Sequence, residues 1–207
     1  MSKNGLTRRE REKLKHRQEI LDAALHLFSE YGFHNVSMQQ VADRSEFSIG
    51  TLYNFFDNKE HLYSTLLDEL SEKFHHAVTS AIDTGSDETE MLRNFVTAKA
   101  EIFYENMEIV RLYFRETSGV RFNLKTGLDE EIRIRYAEFM RKLTMVFANG
   151  IKKKRFNNIA DPYLLAVALD SLTSSVLLGC LEDPKNRPYP QDPDVLLNIF
   201  FNGLLVS

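Results

Sequence analysis

Apolar residues recur three and four positions apart along almost the whole chain, and alternating apolar and polar runs are nearly absent. The pattern therefore predicts helices and no sheet. Leu62, Leu66, Leu70, Phe74, Ala77 and Ala81 make one such stripe from about Lys59 to Ile82, a helix roughly 35 Å long at 1.5 Å per residue that could join two parts of the molecule rigidly. Thr84, Gly85 and Ser86 end it. Further helices are expected from about Asp87 to Asn106, from Glu108 to about Ser118 and from about Leu128 to Arg155, with Gly119 to Gly127 as a loop. Asp161-Pro162 and Asp192-Pro193 each put a capping aspartate before a proline at the first helical position and open two more helices. Between these, Glu182 to Gln191 holds Pro184, Pro188 and Pro190 and reads as a linker. The run Lys152 to Arg155 closes a helix that opens on Asp129, Glu130 and Glu131. Both runs complement the helix dipole, so the basic one reads as a helix end and not as a nucleic-acid patch.

The segment from Ser37 to Leu62 differs from the rest because it crowds three helix starts together. Ser37 with Gln40 three residues on forms a capping box, Ser48 caps a second start, and Asp57 or Asn58 a third. Only Ser45, Glu46 and Phe47 separate the first two helices, a turn short enough to cross them steeply. Val41, Ala42, Leu52 and Phe56 are placed to face inward, which leaves Gly50, Thr51, Tyr53 and Asn54 near the outer face. Small and hydrogen-bonding side chains at the start of a short helix suit a major groove, where Gly50 lets backbone approach and Thr51 and Asn54 can meet base edges. Ser48, Gly50, Thr51 and Asn54 form the expected base-reading edge, with Ile49 and Gln39 beside it. Ser37, Tyr53 and Lys59 are expected to grip the phosphate backbone. Lys59 at a helix start opposes the helix dipole, and a nearby phosphate would relieve that. Read plainly, the inward anchors would look the same in any small helical core.

These residues resemble the DNA-binding domain of the tetracycline-repressor (TetR) family of bacterial transcription regulators. Ile20, Ala23, Ala24, Leu27, Phe28 and Gly32 match the family's first helix, and the run G-T-L-Y-x-x-F-x-x-K-E-x-L from Gly50 to Leu62 is the most specific part. The resemblance is carried by residues 17 to 62. It implies an all-α protein of about nine helices, with a helix-turn-helix head over residues 1–61 and a helical effector-binding and dimerisation body over residues 62–207. One departure is Glu46, where the family usually has glycine in a turn expected to need positive φ; a residue with a Cβ pays roughly 1 kcal/mol there.

Charge changes the picture locally. The 207-residue chain has a formal net charge of −4, which argues against nonspecific coating of DNA. Residues 1 to 17 nevertheless carry Lys3, Arg8, Arg9, Arg11, Lys13, Lys15 and Arg17 against Glu10 and Glu12, either a solvated, frayed terminus or an arm that reaches phosphates or the minor groove. The single cysteine, Cys180, excludes a disulfide framework and a Cys-rich metal site, and with no apolar leader segment at the N-terminus a cytoplasmic location is expected. The most apolar stretch, Tyr163 to Leu181, is interrupted by Asp170 and a Ser/Thr cluster and reads as a packing helix, not a membrane span.

The last two helices are apolar around most of their circumference, which predicts burial against a second copy: a homodimer built on a four-helix bundle, as the family resemblance also implies. Two heads would then read a near-palindromic operator. Phe95, Phe103, Met107, Phe114, Phe139, Leu143 and Phe147 lie on apolar faces of the body. They are a hydrophobic core first, and by resemblance the lining of a pocket for a small hydrophobic or amphipathic effector, with Arg115, Glu116 and Arg121 near enough to orient a polar end. The six histidines show no metal-ligand spacing, and no phosphate loop or nucleophile motif is present, so neither a metal, a cofactor nor an enzyme activity is expected. The expected function is therefore a DNA-binding transcriptional regulator, a repressor released by its effector. The rival from another class is a helical lipid- or metabolite-binding protein without a DNA role.

Overall fold

The computed structural model describes residues 6–117, 130–183, 185–190 and 192–202, without the side chains of 114–117 and 202. Among the described residues all regular structure is helical: α1 (Arg8–Tyr31), a 3₁₀ turn (Phe33–Asn35), α2 (Met38–Arg44), α3 (Ile49–Tyr53), α4 (Lys59–Thr84), α5 (Glu88–Glu105), α6 (Met107–Thr117), α7 (Glu130–Lys152), α8 (Pro162–Glu182) and α9 (Pro193–Asn202). The loop expected over 119–127, with Arg121, lies outside the described residues, as do Asp129, Pro184 and Gln191.

The helix boundaries follow local chemistry. Thr7 caps α1 in a reciprocal box with Glu10, and the basic run from Arg8 onward forms the first turns of this helix, with Arg8 paired to Glu12. Asp87 accepts from the backbone of Thr89 and Glu90 to open α5, and Asp161 accepts from Tyr163 N to open α8 with Pro162 next to it. Both α2 and α7 end in the same way. Phe47 N donates to Ala42 O at 3.0 Å and Arg155 N to Gly150 O at 2.8 Å, closing a Schellman motif around a left-handed residue in each case, Glu46 (φ 60) and Lys154 (φ 58). The positive φ expected at Glu46 is present.

The chain divides into two compact units. The first comprises residues 1–70 and 108–127, the second residues 71–107 and 128–207. In the first, Ile20, Phe28, Val41, Leu52, Phe56 and Leu62 are buried together, joined by Ile109 and Leu112 of α6. Arg17, the last residue of the basic run, turns its guanidinium to Glu69 (2.5 Å) and lies over the Phe56 ring. In the second unit α7 packs along α8, and Phe95, Phe139, Leu143 and Phe147 form a dry core with Leu169, Leu196 and Leu197. α8 is long and apolar enough to cross a membrane by length and composition. Here it instead buries Leu165, Ala166, Leu169, Thr173, Leu177 and Cys180 in protein, while Asp170 receives the buried ammonium of Lys99.

Candidate functional site

Helix α3 is the element that the first unit displays. Its side-chain cap is Ser48, whose Oγ accepts from Thr51 N at 3.1 Å and shares a 2.8 Å hydrogen bond with Thr51 Oγ1. Leu52, wholly buried, holds it to the core, and Phe56 one turn on does the same. These anchors leave Ser48, Gly50, Tyr53 and Asn54 exposed and Thr51 half-buried on the outer side. A Cβ on Gly50 would meet only the Ser48 hydroxyl, at 3.9 Å, so bare backbone is presented at the start of the helix. Ile49 is the exception among the expected contacts, because its side chain leans against the core.

On α2, Ser37 and Gln40 form the expected reciprocal capping box, and Gln39 is exposed with its amide held by Asp43 at 2.7 Å. α3 starts on a one-way side-chain cap where α2 has a full capping box, and the two are tied by the Schellman turn at Glu46. Phe47 of that turn is packed against His16 of α1 at 5.0 Å between ring centroids. The result is a compact turn, bearing the exposed Glu46, that carries a short exposed helix start with hydroxyl, amide and bare backbone groups facing out and no charged residue within α3.

Lys59 is placed differently from the sequence-based expectation. Its ammonium donates to Phe33 O (2.8 Å), Val36 O (2.9 Å) and, more weakly, His34 O (3.4 Å), and lies 4.6 Å from the centre of the Phe33 ring. All three N–H donors are thereby directed at carbonyls in the connection from α1 to α2. The unfavourable dipole at the start of α4 is offset by these carbonyls and by Asn58, whose side chain accepts from His61 N at 2.7 Å, so no phosphate is needed to explain the residue. Arg44 is exposed in the last turn of α2, a further cation on the first unit that was not among the expected DNA contacts.

The seven residues expected around an effector separate. Phe95, Phe139, Leu143 and Phe147 are buried in the core of the second unit, with the Phe95 and Phe139 rings 5.5 Å apart. The side chain of Phe114, with those of Arg115 and Glu116, lies outside the described residues. Phe103 and Met107 do face a cavity, of about 230 Å³, completed by Tyr104, Cys180, Leu181, Pro188 and Tyr189. The Tyr189 hydroxyl is buried without a hydrogen-bond partner, and burial pushes its pKa up to about 12. Burial followed by the adjacent Cys180 raises that of Tyr104. Sequence reasoning read Pro188 and Tyr189 only as linker, and their proximity to Cys180 has no local signal.

The chain matches the family described as "Bacterial regulatory proteins, tetR family" over residues 20–66, the stretch that holds α2, α3 and the start of α4. It is 30% identical to the HTH-type transcriptional repressor KstR2 of Rhodococcus jostii (strain RHA1) over 149 residues, covering 70% of each chain. In fold it resembles the fatty acid degradation regulator FadR of Bacillus halodurans (TM-score 0.69, 19% identity, 93% of this chain and 97% of that one) and the transcriptional regulator FadR of Bacillus subtilis solved with stearoyl-CoA (TM-score 0.67, 17% identity, 91% and 99%). The chain belongs to the TetR family and is a DNA-binding transcriptional regulator.

Proposed function

We propose that the protein is a repressor that binds a near-palindromic operator as a homodimer and leaves it when a small hydrophobic or amphipathic effector binds. Residues 1–61 would read DNA, and residues 62–207 would bind the effector and the second copy. The observation that carries the reading is the exposed start of α3, whose bare Gly50 backbone is flanked by the Ser48 and Thr51 hydroxyls. Hydroxyls and an amide such as Asn54 can pair with base edges, and the absence of a Cβ allows close approach. Ser37, Gln39 and Tyr53 are assigned to the flanking phosphates and sugars; Ile49 and Lys59 are assigned to holding this surface in shape.

Homodimer formation is supported by apolar side chains that stay exposed on α8 and α9: Tyr163, Leu164, Val195, Ile199 and Phe201. A two-fold pairing of these faces buries them and supplies the second recognition helix, about one DNA turn (~34 Å) away. A repressor role is supported by the name of the Rhodococcus relative, and an amphipathic effector by the stearoyl-CoA in the Bacillus subtilis structure. A cytoplasmic location follows from the DNA target. The test is selection of bound sequences from randomised duplex DNA at modest salt. Enrichment of an inverted repeat is expected, and enrichment of no site or of a single half-site would overturn the reading.

A further inference from the structure

Helix α1 begins well before the core it serves. Its first buried residue is Ile20, yet it starts at Arg8, so residues 8–15 form about two exposed turns, closed by the Thr7–Glu10 capping box. Cations crowd these turns, and most are engaged. Arg8 pairs with Glu12, Lys15 pairs with Glu19, and the Arg11 guanidinium donates to Leu6 O at 2.8 Å. Among the described residues Arg9 and Lys13 have neither an ion pair nor a hydrogen bond. They stand four apart, where like charges repel. At 3.6 residues per turn both fall within about 20° of Ile20, on the prolongation of the buried face, whereas Arg8, Arg11 and Lys15 lie more than about 100° away.

The face that carries Arg9 and Lys13 leads to the turn before α3. His16, three residues after Lys13, packs its ring on Phe47 at 5.0 Å, and Phe47 is followed by Ser48, the cap of α3. Lys13 and Arg9 lie about 4.5 and 10.5 Å further along the helix from that contact, at 1.5 Å per residue. We propose that Arg9 and Lys13 clamp the phosphate backbone of DNA beside the start of α3, two contacts that add affinity without reading sequence. Charge calls for such a clamp. From residue 18 to 61 the chain has seven acids against Arg44 and Lys59, and Lys59 directs its donors at carbonyls. With no charged residue in α3, a surface of that balance is repelled by a polyanion unless cations lie next to it. The helical state decides between phosphate and groove. A helix is about 10–12 Å across and the minor groove about 6 Å wide, so α1 stays outside the groove and its long cations meet the phosphates along the edge. The clamp rests on the proposed reading of α3 as the DNA-facing element.

The test compares two full-length variants with the same loss of charge: Arg9→Gln with Lys13→Gln on the proposed face, and Arg8→Gln with Lys15→Gln on the opposite one. Each is titrated over a range of salt against a mixed-sequence duplex and against the duplex selected from randomised DNA. The first variant should bind both duplexes about tenfold more weakly or worse and select the same consensus. Its slope of log affinity against log salt should be shallower by about 0.9 for each phosphate lost. The second should lose less than about threefold, and circular dichroism should be unchanged in both, since glutamine is a good helix former. Arg9→Lys with Lys13→Arg should restore affinity and slope, because a phosphate accepts from either cation. Equal losses in the two charge-removing variants, an altered consensus, or a change in sedimentation without a change in DNA affinity would overturn the clamp. If the slope changes as expected but no inverted repeat is selected, the operator reading fails and the clamp stands. If an inverted repeat is selected and the slope is that of the parent, the clamp alone fails.

Discussion

At the scale of single residues, the first unit shows both what a sequence discloses and what it hides. Glu46 was legible, because a Schellman turn is built from neighbours within five positions and its left-handed residue falls where the turn must close. Glu46→Gly is expected to raise the stability of the first unit by about 1 kcal/mol, read as a higher denaturation midpoint with unchanged slope. Lys59 was not legible, since its acceptors lie 23 to 26 positions away in sequence and only the folded chain brings Phe33, His34 and Val36 to it. Lys59→Met should cost about 2 kcal/mol of stability through the loss of charge-assisted bonds. Over the temperature range where the variant stays folded, the slope of log affinity against log salt should match that of the parent. A slope smaller by about one unit would instead mark a phosphate contact. Thr51→Ala is expected to relax sequence preference in a binding-site selection at little cost in total affinity.

Elements were more legible than their partners. Caps at Thr7, Ser37, Ser48, Asp87 and Asp161 fix where helices begin, and each is a local signal that survives folding. An apolar stripe, by contrast, does not say whether it faces another helix or a cavity, so Phe95, Phe139, Leu143 and Phe147 were read as core first and as pocket lining by resemblance; all four are buried in the core of the second unit. The same blindness hid the tie between α5 and α8, where Lys99 donates to the Asp170 carboxylate (2.5 Å), the Asp170 carbonyl and Ser174, and Tyr136 donates to the other carboxylate oxygen. Burial drives the Lys99 pKa below its ordinary value, and Asp170 opposes that shift. Lys99→Met leaves Asp170 without its cation and should lower stability by about 3 kcal/mol. The double change with Asp170→Leu should recover much of that loss. On α9, Ile199→Asp places a charge on an exposed apolar face and should yield monomers in sedimentation equilibrium while circular dichroism remains unchanged.

Across the whole molecule, the response to alkali follows from two tyrosines. Burial raises the Tyr136 pKa, with Asp170 adding to the effect, and takes that of Tyr189 to about 12. In the unfolded chain both hydroxyls ionise near pH 10, so the folded state holds more protons above that value. Their contribution to stability is complete below pH 10 and is lost as the pH rises toward 12. Tyrosinate absorbance should therefore rise in two stages, with the second coinciding with loss of helicity; a single early stage would contradict the raised pKa values of these two hydroxyls.

The helices that complete the first unit set a limit on dissection. Its core is closed by Leu62 and Leu66 of α4 and by Ile109 and Leu112 of α6, all beyond residue 61. A fragment ending at residue 61 would expose the inner faces of α1, α2 and α3 and lose Glu69, the partner of Arg17. The DNA-reading segment is therefore not a portable cassette: a chimera that grafts it onto another body must bring its own α4 and α6 or supply equivalents, and point changes at Ile109 or Leu112 should impair operator binding from far along the chain.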